Sequence, residues 1–224
     1  AVPFFIFAGD LLAKGKVSKV LVEFAESLLG MLKGGLSIVS VLAGMFFAAI
    51  SGSGAATTAA VGATLIPELK KRGYDVYMIR GKQNVNISNK QRAIRANKSG
   101  ADICIRLHAD AASANVRGVS VLYPSQQNPY VAKLSKKSKK LSKNILDSYC
   151  KSTKFKKRGL SKRDDLTGTN WSKIPVTIVE MGFMSNPEED QKLSDNHYQS
   201  MLAEGIADGV DRYYERRGEK NEEK

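Results

Sequence analysis

The sequence predicts an α/β fold, a mostly parallel sheet with helices on both faces, preceded by an α-helical segment of membrane type. Two observations support this prediction. After Pro67, short strand-like runs alternate with helical segments, a pattern typical of a parallel sheet covered on both sides. From Gly34 to Pro67 there is no charged residue. An apolar content of 42% over 224 residues suffices for a core, and two cysteines exclude a disulfide-rich mini-protein.

Charge divides the chain near the same place. The whole chain has 35 Lys and Arg against 22 Asp and Glu, a net charge of +13. Residues 1–69 are neutral, because their lysines balance their acidic residues: Lys14, Lys16, Lys19 and Lys33 against Asp10, Glu23, Glu26 and Glu68. The excess therefore lies in the rest of the chain, where it favours a polyanionic partner such as nucleic acid, anionic lipid or a cell-wall polymer.

The first 69 residues predict helices. Apolar residues recur at helical spacing over residues 17–28, which predicts an amphipathic helix. The apolar run at 36–50 is shorter than the about 20 residues of a bilayer span. It reaches that length only with the small residues at 51–62, whose glycines permit a broken backbone. We predict a broken membrane helix here; the alternative is a buried helix of a soluble core.

This segment resembles the large permease subunit of tripartite ATP-independent periplasmic (TRAP) transporters. The resemblance covers about residues 1–75 and rests on three motifs in order: the strings from Val2 to Asp10, Leu32 to Leu36 and Met45 to Thr57. It implies a membrane-associated segment. Transport by this chain alone is not expected, because the family's permease needs many spans and this chain holds at most one or two.

After Pro67, helices are predicted from their capping and terminating residues, and strands from runs of residues that favour β-structure. One helix is predicted to end before Gly73, a natural left-handed stop. Ser88 and Gln91 form a capping box that opens a second helix, and Asn186 caps a short one. Further helices are predicted at 130–150 and 197–216, with a loop at 151–174. Strands are predicted at 75–80, 102–107, 118–123 and 176–180.

Two chemically active side chains follow or end predicted strands. His108 follows one strand, and Glu180 ends another. The carboxyl ends of parallel strands meet at one edge of the sheet, where functional groups gather. A neutral imidazole binds zinc, and a nearby carboxylate accepts a proton from metal-bound water. The alternatives are a structural hydrogen bond for His108 and a solvated carboxylate for Glu180.

These residues lie within motifs that resemble the zinc-dependent N-acetylmuramoyl-L-alanine amidase family, over about residues 68–216. The motifs, in order, are Arg80, Ile87-Ser88, Arg92, Ala96-Asn97, Ala101-Asp102, Leu107 to Ala111, Gly118-Val119 and Ile178 to Pro187. The resemblance implies hydrolysis of the amide between muramic acid and L-alanine in peptidoglycan. It further implies that His108 is a zinc ligand and that Glu180 is the catalytic residue that activates metal-bound water.

The sequence departs from the amidase family's pattern at the zinc ligands. The family carries a first zinc-binding histidine after its opening strand and a zinc-binding glutamate in the next helix, both of which should precede residue 68. Permease-like sequence lies there instead, and His197 is the only other histidine. We expect an amidase domain without its first strand and without two metal ligands, which binds zinc poorly and turns over slowly.

The two resemblances meet at Leu69 to Asp75, a string that suits a helix end in either family. We interpret the chain as a chimera. The predicted organisation is a permease-like helical segment at 1–69, an amidase-like catalytic domain at 70–216 and a polar tail at 217–224.

The remaining features concern partners. Peptidoglycan is the expected partner, membrane contact is possible through residues 1–69, and the expected location is the cell envelope. Lysines crowd the helix at 130–150 and suit either an anionic wall polymer or lipid, or simply a solvated face. No aromatic residues interleave with them, so nucleic acid is not expected. Trp171 is predicted either to line a substrate groove or to pin its loop.

Overall fold

A computed structural model describes residues 54–80 and 87–218. The predicted helix at 17–28, the apolar run at 36–50 and the last six residues of the tail, 219–224, lie outside the described residues.

The described residues form a four-stranded sheet with helices on both faces. The strands are β1 (Cys104–Asp110), β2 (Val119–Tyr123), β3 (Lys157–Lys162) and β4 (Val176–Phe183). The helices are α1 (Gly54–Lys71), α2 (Asn89–Lys98), α3 (Ser135–Thr153), α4 (Thr167–Asn170), α5 (Pro187–Ser194) and α6 (Asn196–Gly218). A 3₁₀ turn, Ala132–Leu134, precedes α3.

The strand order is β1-β4-β2-β3. β1 pairs with β4 and β2 pairs with β3 in parallel, whereas β2 and β4 are antiparallel. Two of the three ladders are thus parallel, which confirms the predicted α/β class with a mostly parallel sheet. The antiparallel ladder was not predicted, because periodicity along a strand carries no information about the direction of its neighbour.

The two faces of the sheet have different surroundings. Val179 and Met181 of β4 are fully buried in the main core, which α1, α3 and α6 complete. Side chains alternate along a strand, so the residue between them, Glu180, points to the other face. On that face Ala96 of α2 packs with Cys104 and Val176 in a smaller cluster. The sheet therefore separates a thick apolar core from a thinner layer that carries the polar candidates.

The local signals around α2 and α5 are confirmed. The Ser88 hydroxyl accepts from the Gln91 amide, while the Gln91 side chain accepts from the Ser88 amide, so the capping box is complete. Asn186 caps α5, with Pro187 in its first turn. Gly73 follows α1 with a φ of +84°, a left-handed conformation that favours glycine.

Three predictions about elements are wrong. Residues 75–80 form no strand, because among the described residues no segment pairs with them, and the sheet ends at β1. The predicted loop at 151–174 contains the edge strand β3 and the short α4. β3 was missed because its sequence, KRGLSK, has a single large apolar residue. α3 begins at Ser135, later than predicted, because the Asn128 side chain accepts from the Tyr130 and Val131 amides and holds a turn there.

α1 is continuous through the small residues at 54–62. The broken backbone predicted for 51–62 is therefore wrong for its described part. Val61 is fully buried and Leu65 is 6% exposed, both within the main core, so packing supports a helix that the glycines alone would weaken. Across the described residues, no helix is both long and apolar enough to cross a membrane.

Candidate active site

His108 and Glu180 lie side by side on adjacent parallel strands. The register of β1 and β4 pairs these two residues directly, so both side chains project from the same face of the sheet. His108 Nδ1 donates to Glu180 Oε2 at 2.7 Å. The sequence predicted these residues at the ends of two strands, but β1 continues to Asp110 and β4 to Phe183, so the pair lies within the ladder rather than at its end.

The pair is buried on one side only. The Glu180 side chain is 10% exposed, whereas that of His108 is 61% exposed. The hydrogen bond that His108 donates to Glu180 raises the pKa of His108, against the opposing effect of burial. In the neutral ring, a proton held on Nδ1 leaves the lone pair on Nε2, the nitrogen available to a metal or substrate.

A buried carboxylate positions the loop after β1. Both oxygens of Glu189, which is 4% exposed, accept backbone amides: Oε1 from Gly118 at 2.7 Å and Oε2 from Phe183 at 2.8 Å. The start of β2 and the end of β4 are thus tied to the first turn of α5. Sequence reasoning missed this residue, because a glutamate at the start of a helix usually lies in solvent.

The loop that contains Trp171 is held against α2. Asn97 Nδ2 donates to the Trp171 carbonyl at 2.9 Å, and Asn97 Oδ1 accepts the Lys173 amide at 2.8 Å. The Trp171 side chain is 46% exposed, and Lys90 Nζ of α2 lies 3.7 Å from its ring centre. Asn97 therefore pins the loop through the backbone and leaves the indole at the surface.

Sequence reasoning also missed Arg106. It lies on β1 two residues before His108, hence on the same face of the sheet. Its guanidinium donates to Asn89 Oδ1 at 2.9 Å and packs so closely on Gly168 that a Cβ there would overlap Nη1. The period-two alternation of β1 was the signal that could have found it.

The described residues do not complete a zinc site. A catalytic zinc takes three protein ligands and one open position. Among residues 54–80 and 87–218, no group of three or more His, Cys, Asp or Glu side chains is suitably placed to hold a metal ion. His108 offers one nitrogen, and the contacted oxygen of Glu180 is engaged by His108 itself. The chain's other histidine, His197, lies in the first turn of α6.

The fold and the His–Glu pair define a class of protein, an α/β protein whose candidate reacting groups lie on neighbouring strands. The chain is similar to an N-acetylmuramoyl-L-alanine amidase from Clostridium difficile 630, with 28% identity, a TM-score of 0.62, and coverage of 70% of this chain and 81% of that one. It is also similar to the amidases named Ami1 from Mycobacterium smegmatis and Mycobacterium abscessus, each 25% identical over 70% of this chain. Their TM-scores are 0.64 and 0.65, with 75% and 76% of those chains covered.

Residues 52–212 match the family model described as N-acetylmuramoyl-L-alanine amidase. The chain belongs to this family of hydrolases, as its motifs predicted. The family is typically zinc-dependent and acts on peptidoglycan.

A second family model matches the other end of the chain. Residues 1–79 match the DctM component of the tripartite ATP-independent periplasmic transporter, which confirms the resemblance to the permease. A putative TRAP transporter large permease protein from Haemophilus influenzae is 44% identical over 75 residues, which are 34% of this chain and 19% of that protein. The C4-dicarboxylate permease DctM from Pseudomonas aeruginosa is 46% identical over 74 residues, 33% and 17% of the two chains. The chain thus spans about a fifth of these relatives, and the two family matches overlap at residues 52–79.

Proposed function

We propose that this chain is a peptidoglycan hydrolase of the N-acetylmuramoyl-L-alanine amidase type whose turnover is impaired. The target bond is the amide between the lactyl group of muramic acid and L-alanine. Hydrolysis adds water across that bond: the carbonyl carbon gains the hydroxyl, and the departing alanine nitrogen gains the proton. The observation that carries the proposal is the contact between His108 and Glu180.

The roles of the two residues follow from their surroundings. Glu180 is the catalytic residue that accepts the proton of the attacking water and returns it to the amine. Its low exposure keeps bulk water from competing for that proton. His108 orients the carboxylate through Nδ1 and presents Nε2 outward, as the one family metal ligand found among the described residues.

The impairment follows from the incomplete ligand set. In this family zinc would activate the water and polarise the carbonyl, effects worth several kcal/mol of barrier. One histidine holds zinc poorly, so that contribution is largely lost. Each 1.36 kcal/mol of activation free energy changes the rate about tenfold. We therefore expect turnover about 10³-fold or more below that of a family member with all its zinc ligands.

The test is hydrolysis of N-acetylmuramoyl-L-alanyl peptides by the purified chain, with and without added zinc. We expect slow release of the alanyl peptide that Glu180→Gln abolishes. Glu188→Gln is the matched control, since Glu188 lies on the surface of α5 and Glu188→Gln should leave the slow reaction unchanged. Full family-like turnover would contradict the impairment, and residual turnover that survives Glu180→Gln would contradict the role of that residue.

The second candidate is a cell-wall-binding module without catalysis. A cavity of about 520 Å³ favours it, since its lining includes Lys136, Lys139, Lys140, Lys143 and Lys162. Such a surface attracts anionic wall polymers at low ionic strength. This candidate predicts that the chain sediments with peptidoglycan whether or not a chelator is present, and that it releases no peptide.

The organisation of the chain is part of the proposal. A membrane-associated permease-like segment precedes α1, the amidase-like domain runs from α1 to residue 216, and 217–224 form a polar tail, joined as a chimera and located in the cell envelope. The boundary lies before α1 rather than at the expected 69–70, because Val61 and Leu65 of α1 pack in the main core. The overlap of the two family matches across the shared string at 69–75 supports a join there. Sequencing source DNA across codons 60–80 tests it, because a break in the read would identify an artefact. Partition of the full chain into lipid vesicles tests the membrane contact.

A further inference from the structure

Arg106 occupies an unusual position for a cation. It is half-buried on the face of β1 that carries His108, and its guanidinium is covered by Gly168 of α4. Burial is the main cause that lowers its pKa, although an arginine remains charged at any physiological pH. Its hydrogen bond to a side chain goes to the neutral amide of Asn89, at 2.9 Å.

No carboxylate among the described residues forms an ion pair with Arg106. The carboxylate of Glu180 attracts the Arg106 guanidinium electrostatically but forms no hydrogen bond with it. The hydrogen bond of Glu180 goes to His108 instead. Like charges are close instead: after burial, the charges of Arg80 and Arg106 lower the pKa of Arg92. Partial burial of a cation beside further cations costs free energy unless an anion completes the site.

The geometry points to a substrate carboxylate as that anion. We propose that Arg106, oriented by Asn89 and supported by the charge of Arg92, binds a carboxylate of the peptide part of the substrate. This inference rests on the proposed function, since it assigns the substrate contact of the same site. A planar guanidinium suits this task because it pairs with a carboxylate through two parallel hydrogen bonds.

The spacing along β1 says which carboxylate is within reach. Two residues along a strand span roughly 7 Å, so Arg106 lies about that far from His108. Consecutive peptide units advance about 3.8 Å. A carboxylate bound by Arg106 while the scissile amide lies beside His108 and Glu180 therefore belongs to a residue one or two positions beyond that amide. The proposed specificity is for a muramoyl peptide that is acidic close to the cleavage point.

Calorimetric binding of two probes to the full chain tests the subsite. The probes are N-acetylmuramoyl-L-alanyl-D-glutamate and the same compound with both carboxylates converted to carboxamides. We expect the acid to bind about tenfold more tightly than the amide, the effect of one charge-assisted pair. Arg106→Gln should abolish the difference, and Arg106→Lys should retain only part of it. Arg95→Gln, which removes an exposed cation from the same α2 that carries Asn89, should leave the difference intact.

A stability measurement separates binding from folding. Because Arg106 lacks an acidic partner in the described fold, Arg106→Gln should leave the urea unfolding midpoint unchanged or raise it while it abolishes the preference for the acid. Equal binding of the two probes overturns the subsite but leaves the proposed hydrolysis intact. Absence of binding by either probe, or a preference for the acid that survives Arg106→Gln, also overturns it. If the chain binds the acid more tightly than the amide but hydrolyses no muramoyl peptide, only the proposed function is overturned.

Discussion

Arg72 Nη1 donates to Asp211 Oδ2 at 2.6 Å, joining the end of α1 to α6 across 139 residues of sequence. The same nitrogen contacts Asp208 at 2.7 Å, and the Tyr74 hydroxyl donates to Asp211 at 2.7 Å. The group is partly buried, and it lies where α1 leaves the main core. A helix that matches a permease family is thus fastened to the last helix of the amidase fold.

The first prediction concerns truncation of α1. A chain that begins at Gly54 should keep the amidase fold, whereas one that begins at Glu68 should lose much of its stability. The shorter chain lacks Val61 and Leu65, whose burial contributes about 2–3 kcal/mol each. That loss is comparable with the total stability of many domains. Urea unfolding followed by circular dichroism measures it, and equal midpoints for the two chains would contradict the packing of α1.

The second prediction concerns the buried carboxylate of Glu189. Glu189→Gln should lower the free energy of unfolding by about 2–4 kcal/mol, because hydrogen bonds from two buried backbone amides to a charged acceptor are weakened. Glu188→Gln, one residue away and exposed, should lower the free energy of unfolding far less, because surface ion pairs contribute little. Thermal or urea unfolding of both variants provides the measurement. Equal effects would show that burial of Glu189 is unimportant.

The third prediction concerns pH and the pair of His108 and Glu180. The folded pKa of His108 is raised above its unfolded value of about 6.5. The stabilisation of the folded state by the pair of protonated His108 and Glu180 is therefore fully present below about pH 6.5. It is lost as the pH rises through the pKa of His108 in the folded state. The difference in unfolding free energy between the wild type and Glu180→Gln should be larger at pH 5.5 than at pH 8.5, in buffer containing a chelator.

The control for this pH effect is direct titration of the imidazole by NMR. His108 should titrate at a higher pH in the wild type than in Glu180→Gln, and a His197→Gln variant assigns the resonance, because the chain has two histidines. An unchanged titration midpoint would mean that the hydrogen bond does not persist in solution.

The fourth prediction compares two glycines inside helices. A Cβ at Gly209 of α6 would overlap the backbone of Ile145 in α3, whereas a Cβ at Gly62 of α1 meets nothing within 4 Å. Gly209→Ala should therefore destabilise the fold by about 1–3 kcal/mol through overpacking. Gly62→Ala should stabilise it by about 0.5–1 kcal/mol, the helix preference of alanine over glycine. Urea unfolding should show that the two substitutions change the free energy of unfolding in opposite directions. A change in the same direction would contradict the close approach of α3 and α6.

Local signals predicted the elements that local chemistry controls. The capping box at Ser88, the cap at Asn186 and the stop at Gly73 each depend on residues within one helical turn, and all three occur. β3 escaped prediction because it is stabilised by its neighbour β2 rather than by its own apolar pattern. The nearness of His108 and Glu180 was within reach of sequence reasoning, because corresponding positions toward the carboxyl ends of neighbouring parallel strands lie close together, although both strands continue beyond the pair.

By itself, the sequence determined the α/β class, the two family resemblances and the positions of His108 and Glu180, because these depend on periodicity, caps and short motifs. Only the tertiary structure decided that α1 completes the core, that residues 75–80 remain without a strand partner, and that Arg106 shares a face with the candidate pair without an acidic partner in the described fold. Those outcomes depend on which distant residues come into contact, and the free energy of such contacts is a property of the packed chain rather than of any segment.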